Sequence, residues 1–421
     1  MEQRIRARYW IETAFPLEQA AGTMAGEQST GTFTPVPGET EELRRRHAAR
    51  VESLRELDSV SAPSLPGAGR PQGAAPVYRR AEVELSWPLP NLGPSLPNLL
   101  ATVAGNLWEL KPFSGMRLLD LHLPPAFLER YGGPQFGVAG TRRLSGVYGR
   151  PLIGTIIKPS VGLTPEATAE LVGKLAEGGI DFIKDDELQA DGPHCPFEER
   201  LAAVMRVIRE HADRTGKMVM YAANLTGEMD EMLRRHDHVV AAGGTCVMVS
   251  IHSIGLPALA ALRRHSAVAI HGHRNGWGLW GRSPAIGISF VAWQKLWRVA
   301  GIDHLHCNGL ANKFCEPDDS VIASARACLT PMFDLPGKGC EVMPVFSSGQ
   351  TVRQAPATYD ALGSTDLIFA AGGGIMAHPG GIGAGVRGLR QAWQAAVEGV
   401  PLEEHASAHA ELRAALGRFQ V

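Results

Sequence analysis

"LIGTIIKPSVGLTPEATAELVGKLAEGGIDFIKDDE", residues 152–187, contains a complete structural unit. It opens as a β-rich apolar run, stops at Lys158 and Pro159, continues as the helix-like "PEATAELVGKLAEGG", and ends in a second apolar run that breaks into Lys184, Asp185, Asp186 and Glu187. An apolar run without alternation suits a strand covered on both faces, and a helix between two such strands is the connection that a parallel pair requires. The rhythm recurs through "MVMYAANLTG", "TCVMVSIHS", "VAIHGHR", "HLHCNG", "VMPVFSSG" and "LIFAAGGG", separated by segments such as "FEERLAAVMRVIREHADR", "FVAWQKLWRVAG" and "GGIGAGVRGLRQAWQAAVEG". Strand–helix units repeated in this way over roughly 240 residues predict a (β/α)8 barrel. Its domain is placed at residues 141–421. A doubly wound open sheet is the alternative, but no Gly-rich dinucleotide fingerprint follows the first run.

Almost every run ends in polar residues: Lys158, the cluster 184–187, Asn224, His252, His273 with Arg274, His306, Ser347 with Ser348, and Gly372 to Gly374. One such residue is usually a turn or a cap. In a barrel, however, the C-terminal strand ends share one face, so this series converges on a single site.

Residues 1–140 have another texture and predict an α+β domain. "RIRARYWIETAF" and "VYRRAEVELSWPL" read as strands, whereas "ETEELRRRHAARVESLREL" and "SLPNLLATVAGNLWEL" read as helices. "SAPSLPGAGRPQGAAP", residues 61–76, reads as a surface loop. The chain of 421 residues is 44% hydrophobic with a net charge of -2, which gives no electrostatic reason to expect nucleic acid or a membrane surface as partner. No apolar run is long enough to span a membrane, and "MEQRIRARYWIETAF" lacks a signal-peptide core, so a cytoplasmic location is the default expectation. The six cysteines form no C-x-x-C pair and read as reduced, mostly core thiols. "HDHVVAAGG", with His236 and His238, reads as the solvated surface of an outer helix, and Trp280, Trp293 and Trp297 as packing.

The Lys-Asp-Asp-Glu cluster admits three readings. A structural ion-pair cluster is the plainest. A Schiff-base lysine fits poorly, because adjacent carboxylates raise its pKa. The third is a hard-metal site: Asp186 and Glu187 offer oxygen ligands to Mg²⁺, and Lys184 would join them if its amine took up CO₂ as a carbamate.

"GGIDFIKDDE" closely resembles the metal-site motif of the RuBisCO large subunit, in which the lysine is carbamylated and the residues two and three positions later bind Mg²⁺. The resemblance implies Lys184, Asp186 and Glu187 as ligands, with Asp185 turned away. It extends along most of the chain. "GTIIKPSVGL" places Lys158 in proton transfer; "HGHRN" supplies His273, a secondary acid-base candidate, and Arg274; "DHLHCNGLANK" supplies His306 and, at the tip of a mobile loop, Lys313. "PVFSSG" supplies Ser347 and Gly349, and "GGGIMAHPGG" supplies Gly372 and Gly373. "GEQSTGTF" resembles the segment that lends Glu27, Thr32 and Phe33 to the neighbouring subunit's site, and "VAGN" lends Asn106 likewise, implying a homodimer with shared active sites. A doubly anchored phosphorylated substrate is implied. Arg274, His306 and Ser347 would hold one anionic end. Thr32, Lys313 and the amides at Gly349, Gly372 and Gly373 would hold the other.

The departures are equally informative. Ser160 stands where a carboxylase of the family has the second lysine of K-P-K, Trp277 replaces a histidine, Phe33 replaces a tryptophan, and "GLANKFCEPDD" differs from the family's loop. The chain therefore resembles a RuBisCO-like protein (form IV) that keeps the metal site and changes the reaction. Gly105, Asn106 and Leu107 stand where the enolases of that branch carry the lysine base of G-K-L. The expectation is a Mg²⁺-dependent enzyme acting through an enediolate on a phosphorylated 3-oxo sugar acid, of the 3-oxo-isoapionate 4-phosphate decarboxylase or transcarboxylase/hydrolase type. The alternatives are an isomerase or enolase of a 5-methylthioribulose-type phosphate and a non-catalytic RuBisCO-like protein.

Overall fold

Alternation of buried and outward residues along Arg4–Thr13 (β1) places Ile5, Ala7, Tyr9 and Ile11 on one covered face, as period-2 patterning requires. The computed structural model describes residues 3–31, 34, 36–73 and 77–420. In its N-terminal unit β1 lies antiparallel between Tyr78–Pro88 and Phe113–His122, and Arg50–Val60 (β2) pairs with the outer edge of Tyr78–Pro88 (β3); Phe113–His122 is β4. The expected helix over "ETEELRRRHAARVESLREL" is thus a correction. A short helix, Glu41–His47, capped by the Thr40 hydroxyl, gives way to β2. Its Arg and Glu residues have helical propensity, but the β3 ladder and cross-strand pairs such as Arg55–Glu82 at 3.0 Å override it. A charged, exposed edge strand also resists pairing with foreign strands. The second expected helix is shorter than read, Leu96–Val103, followed by a 3-10 turn at Asn106–Glu109.

The barrel strands follow in chain order: Leu152–Ile156 (β5), Phe182–Lys184 (β6), Met220–Asn224 (β7), Cys246–Ser250 (β8) and Ala269–His273 (β9). Ile286–Ile288 (β10) is not a barrel strand; it pairs in parallel with β4, and Gly276–Val299 belongs to the N-terminal unit. His304–His306 (β11), Met343–Phe346 (β12) and Ile368–Ala370 (β13) complete a closed barrel in the order β11-β12-β13-β5-β6-β7-β8-β9. All its pairings are parallel. The compact units are Met1–Gly132 with Gly276–Val299 and Met332–Asp334, and the remainder, which carries the barrel. Trp280 stacks on Trp293 with ring centroids 5.6 Å apart, and Trp297 meets Trp293 edge-on, so these rings are packing.

The barrel interior explains why the site is polar. Leu152, Phe182, Met220, Ala222, Cys246, Met248, Ala269, Met343, Val345, Ile368 and Ala370 form one buried cluster. Stepping along each strand by two keeps the same face, and the same-face positions at or just past the C-terminal ends of the strands are Lys158, Lys184, Asn224, Ser250, His273, His306, Ser347 and Gly372. An apolar plug therefore lies beneath a polar layer at the C-terminal ends of the strands.

Asp181, just before β6, is fully buried and accepts hydrogen bonds from Arg150 and Lys217, each at 2.5 Å, and from the Ile153 amide at 2.9 Å. Burial opposes its ionisation, yet these two cations hold the carboxyl below its usual range. Because the folded pKa is depressed, the stabilisation is present above the unfolded carboxylate pKa, about 4, and is lost as pH falls through the folded value. Asp181→Asn is expected to be less stable at pH 7 and to show a shallower loss of stability below about pH 4, measured by denaturant unfolding. Among the described residues no helix is long and apolar enough to cross a membrane.

Candidate active site

Lys184 ends β6 inside the barrel with about one per cent of its side chain exposed; its Nζ donates to the Asp185 carbonyl at 2.8 Å and to Glu187 Oε2 at 3.4 Å. Burial pushes its pKa down, against the pull of Glu187 and Asp186. That favours the neutral amine, the form able to attack CO₂. Burial also opposes ionisation of Glu187, but His273 and Lys184 hold its carboxyl well below the usual range. Lys158, ending the inward series of β5, donates to Asp186 Oδ2 at 2.6 Å and to Ser160 Oγ at 2.7 Å. The position where the sequence departs from K-P-K thus carries a hydroxyl that orients Lys158.

Asp185 faces the other way. Its carboxylate accepts hydrogen bonds from the Tyr221 hydroxyl and the Asn224 amide (2.9 Å) and pairs with Arg200 at 3.3 Å, with both charged side chains about one per cent exposed. Arg200 comes from the helix Phe197–Thr215 and also binds the carbonyls of Gln189, Ala190 and Cys195, which fixes the turn after the cluster. This support was not read from the sequence.

These charges test whether a divalent ion fits. With both lysines protonated, Lys158 and Lys184 balance Asp186 and Glu187. Carbamylation of Lys184 would replace a cation by an anion and leave the group with two negative charges in excess. Three oxygen donors with that excess suit Mg²⁺.

His273 Nε2 lies 3.5 Å from Glu187 Oε2, its ring centroid is 4.8 Å from that of His306, and His306 Nε2 is hydrogen-bonded to Ser347 Oγ. A buried file thus runs from the metal-ligand candidates to the start of the phosphate motif. Burial lowers the pKa of both imidazoles, keeping them neutral. Beneath them His271 is fully buried, and neither ring nitrogen has a hydrogen-bond partner among the described residues. His304 Nε2 meets Thr141 Oγ1 at 2.8 Å, and burial takes its pKa down to about 3.

Arg274 departs from the expectation of an open anion-binding fork. It donates to the Cys307 carbonyl at 3.2 Å and is already paired with Glu316. Lys313 is exposed, its Nζ 5.2 Å from the centre of the Phe314 ring, and its amide donates to the Ser348 carbonyl at 3.2 Å. Gly349 has φ 93°, and a β-carbon there would lie 3.7 Å from Lys313 Cβ; one at Gly372 would lie 3.8 Å from Lys158 Cγ. Gly373 begins a four-residue helical turn. The barrel therefore gathers Lys158, Lys184, Asp186, Glu187, His273, Arg274, His306, Ser347 and Gly372, with Lys313 beside Gly349. Asn106, in the N-terminal unit, is exposed at the head of its 3-10 turn. Thr32 and Phe33 lie outside the described residues.

One further cluster needs correction. His236 is buried rather than solvated; its Nδ1 and His265 Nε2 both approach Asp237 Oδ1, at 3.0 and 2.6 Å, while its Nε2 accepts from the Ala267 amide. The His236 ring therefore has hydrogen-bond partners at both nitrogens and helps join the helices Met229–Ala241 and Ile251–His265.

The chain is similar to known proteins over nearly its whole length. "Ribulose bisphosphate carboxylase large chain, catalytic domain" matches residues 137–419, and the N-terminal domain of the same family matches residues 3–127. A Xanthobacter autotrophicus protein named 3-oxo-isoapionate-4-phosphate transcarboxylase/hydrolase is 57% identical over 99% of both chains. A Rhizobium etli protein named 3-oxo-isoapionate-4-phosphate decarboxylase is 47% identical over 99% of this chain and 98% of its own. Among solved structures, a rubisco-like protein from Burkholderia fungorum superposes with a TM-score of 0.92 at 47% identity, covering 99% of this chain and all of its own. An octameric RuBisCO from Pyrococcus horikoshii gives 0.86 at 33%, covering 99% and 94%.

Proposed function

Since the chain belongs to the RuBisCO large-chain family, we propose that it is a RuBisCO-like, Mg²⁺-dependent enzyme that cleaves a carbon–carbon bond of 3-oxo-isoapionate 4-phosphate. The observation that carries this reading is 57% identity over 99% of both chains to an enzyme named for that substrate. The ligand candidates and the residues around them support it. The departure at Ser160 supports a reaction other than carboxylation of ribulose bisphosphate.

In a 3-oxo acid the carboxyl group is β to a ketone. Breaking the bond between C2 and the carboxyl carbon sends its electron pair onto C2 and the C3 oxygen. Mg²⁺, held by carbamylated Lys184, Asp186 and Glu187, would supply the positive charge that accommodates it. Lys158 is the proton source for the resulting carbon; its Nζ is oriented by Asp186 and Ser160, and its side chain is about two-fifths exposed, so it can be reprotonated from solvent. Neutral His273, hydrogen-bonded toward Glu187, fixes that carboxylate and is a second acid-base group. Lys313 and the backbone at Gly349, Gly372 and Gly373, with Thr32, would hold the phosphate. Glu27, Thr32 and Asn106 would complete the site of a partner copy in a homodimer.

The test is incubation with 3-oxo-isoapionate 4-phosphate and Mg²⁺, following released CO₂ and phosphorylated products by nuclear magnetic resonance. Cleavage that stops on chelation is expected, and the product set distinguishes decarboxylation from transcarboxylation with hydrolysis. Proton exchange at a substrate carbon without cleavage would replace this reading with the isomerase or enolase one.

A further inference from the structure

The Arg274 guanidinium, three per cent exposed, does not face the site as an unbalanced cation. Glu316, on the loop after β11, pairs with it, and that carboxylate is held by two more donors: Asn308 Nδ2 at 2.7 Å on Oε2 and Ser320 Oγ at 3.0 Å on Oε1. The loop is tied down by its own bonds as well. Asn312 Nδ2 donates to the carbonyls of Gly309 and Glu316, both at 3.0 Å, and the Ala311 amide donates to Asp318 Oδ1 at 2.9 Å. Asn308 in turn accepts from Ser348 Oγ at 2.9 Å, linking Glu316 to the residue after Ser347. The carboxylate is thus built into the wall of the Arg274, His306 and Ser347 end.

We propose that Glu316 is a specificity-determining residue: by neutralising Arg274 it closes this end of the site to a second phosphate dianion and selects substrates with one phosphate. A ligand arriving here meets a paired guanidinium, a neutral imidazole–hydroxyl pair at His306 and Ser347, and a fixed carboxylate. That combination accepts hydroxyl groups, which can donate to Glu316, and repels a dianion. The inference rests on the single-phosphate reading above and adds to it the residue that enforces the limit.

The probes are ribitol 5-phosphate and ribitol 1,5-bisphosphate, unreactive polyols that differ by one phosphate, titrated calorimetrically into the full chain with Mg²⁺. The wild type is expected to bind the monophosphate at least about threefold more tightly than the bisphosphate. Glu316→Gln, which removes the charge and keeps the shape, is expected to bind the bisphosphate at least about tenfold more tightly than the wild type does, about 1.4 kcal/mol, with monophosphate affinity changed less than about threefold. A wild type with less than that preference for the monophosphate, or a variant that leaves the ratio unchanged, overturns the proposal. The wild-type ratio decides even if the variant misfolds. Failure of the monophosphate to bind the wild type overturns instead the single-phosphate reading, and this inference with it.

Discussion

Lys184→Arg is expected to abolish turnover, lowering kcat by at least about 10³-fold, with the fold intact. The substitution separates two roles. If Lys184 only balanced Glu187, which lies 3.4 Å from its Nζ, a guanidinium would keep the pair and much of the activity. If its neutral amine must add CO₂ to become an oxygen ligand, arginine fails, because it stays protonated and cannot form the carbamate. Lys184→Met removes the positive charge at similar bulk and is expected to be equally inactive. Asp186 then keeps Lys158 and Glu187 keeps His273, so neither carboxylate is orphaned. Steady-state kinetics with Mg²⁺ and bicarbonate, alongside circular dichroism, make the comparison.

The second large effect is on stability. Arg200→Leu leaves Asp185 buried without its cation and strips hydrogen bonds from the carbonyls of Gln189, Ala190 and Cys195. Removing one partner of a buried ion pair costs about 3–5 kcal/mol, to be read from denaturant unfolding. Adding Asp185→Asn is expected to recover part of the loss, since the Asn224 amide, which donates to Oδ2, can still bond to an amide oxygen there, while the Tyr221 hydroxyl, at the Oδ1 position, can turn to accept from the amide NH2. Purely additive losses would show that Arg200 acts through the turn carbonyls alone.

The barrel and most of its site were legible because one physical rule serves both. Strands buried on both faces are continuous apolar runs, and the inward residue at each C-terminal end becomes polar, as at Lys158, Lys184, His273, His306 and Ser347. That signal lies in each strand by itself. Arg50–Val60 was misread because its Arg and Glu residues favour a helix until β3 pairs with it, which is a tertiary effect. Ile286–Ile288 was not read as a strand for the same reason: its partner is β4, far away in sequence. Glu316 gave no signal beside Asp318 and Asp319, and Arg200 looked like any helix arginine. What distinguishes both is the charge they face across the fold. His236 was placed at the surface because its segment reads as an outer helix, yet the ring itself is buried.

The central claim is that Lys184 becomes a metal ligand by carbamylation. Its most direct test is ¹³C nuclear magnetic resonance of the protein in ¹³C-bicarbonate, with and without Mg²⁺. The account predicts a carbamate resonance that Mg²⁺ strengthens and that is absent from Lys184→Arg. No carbamate with Mg²⁺ present, in protein that still turns over substrate, would contradict it.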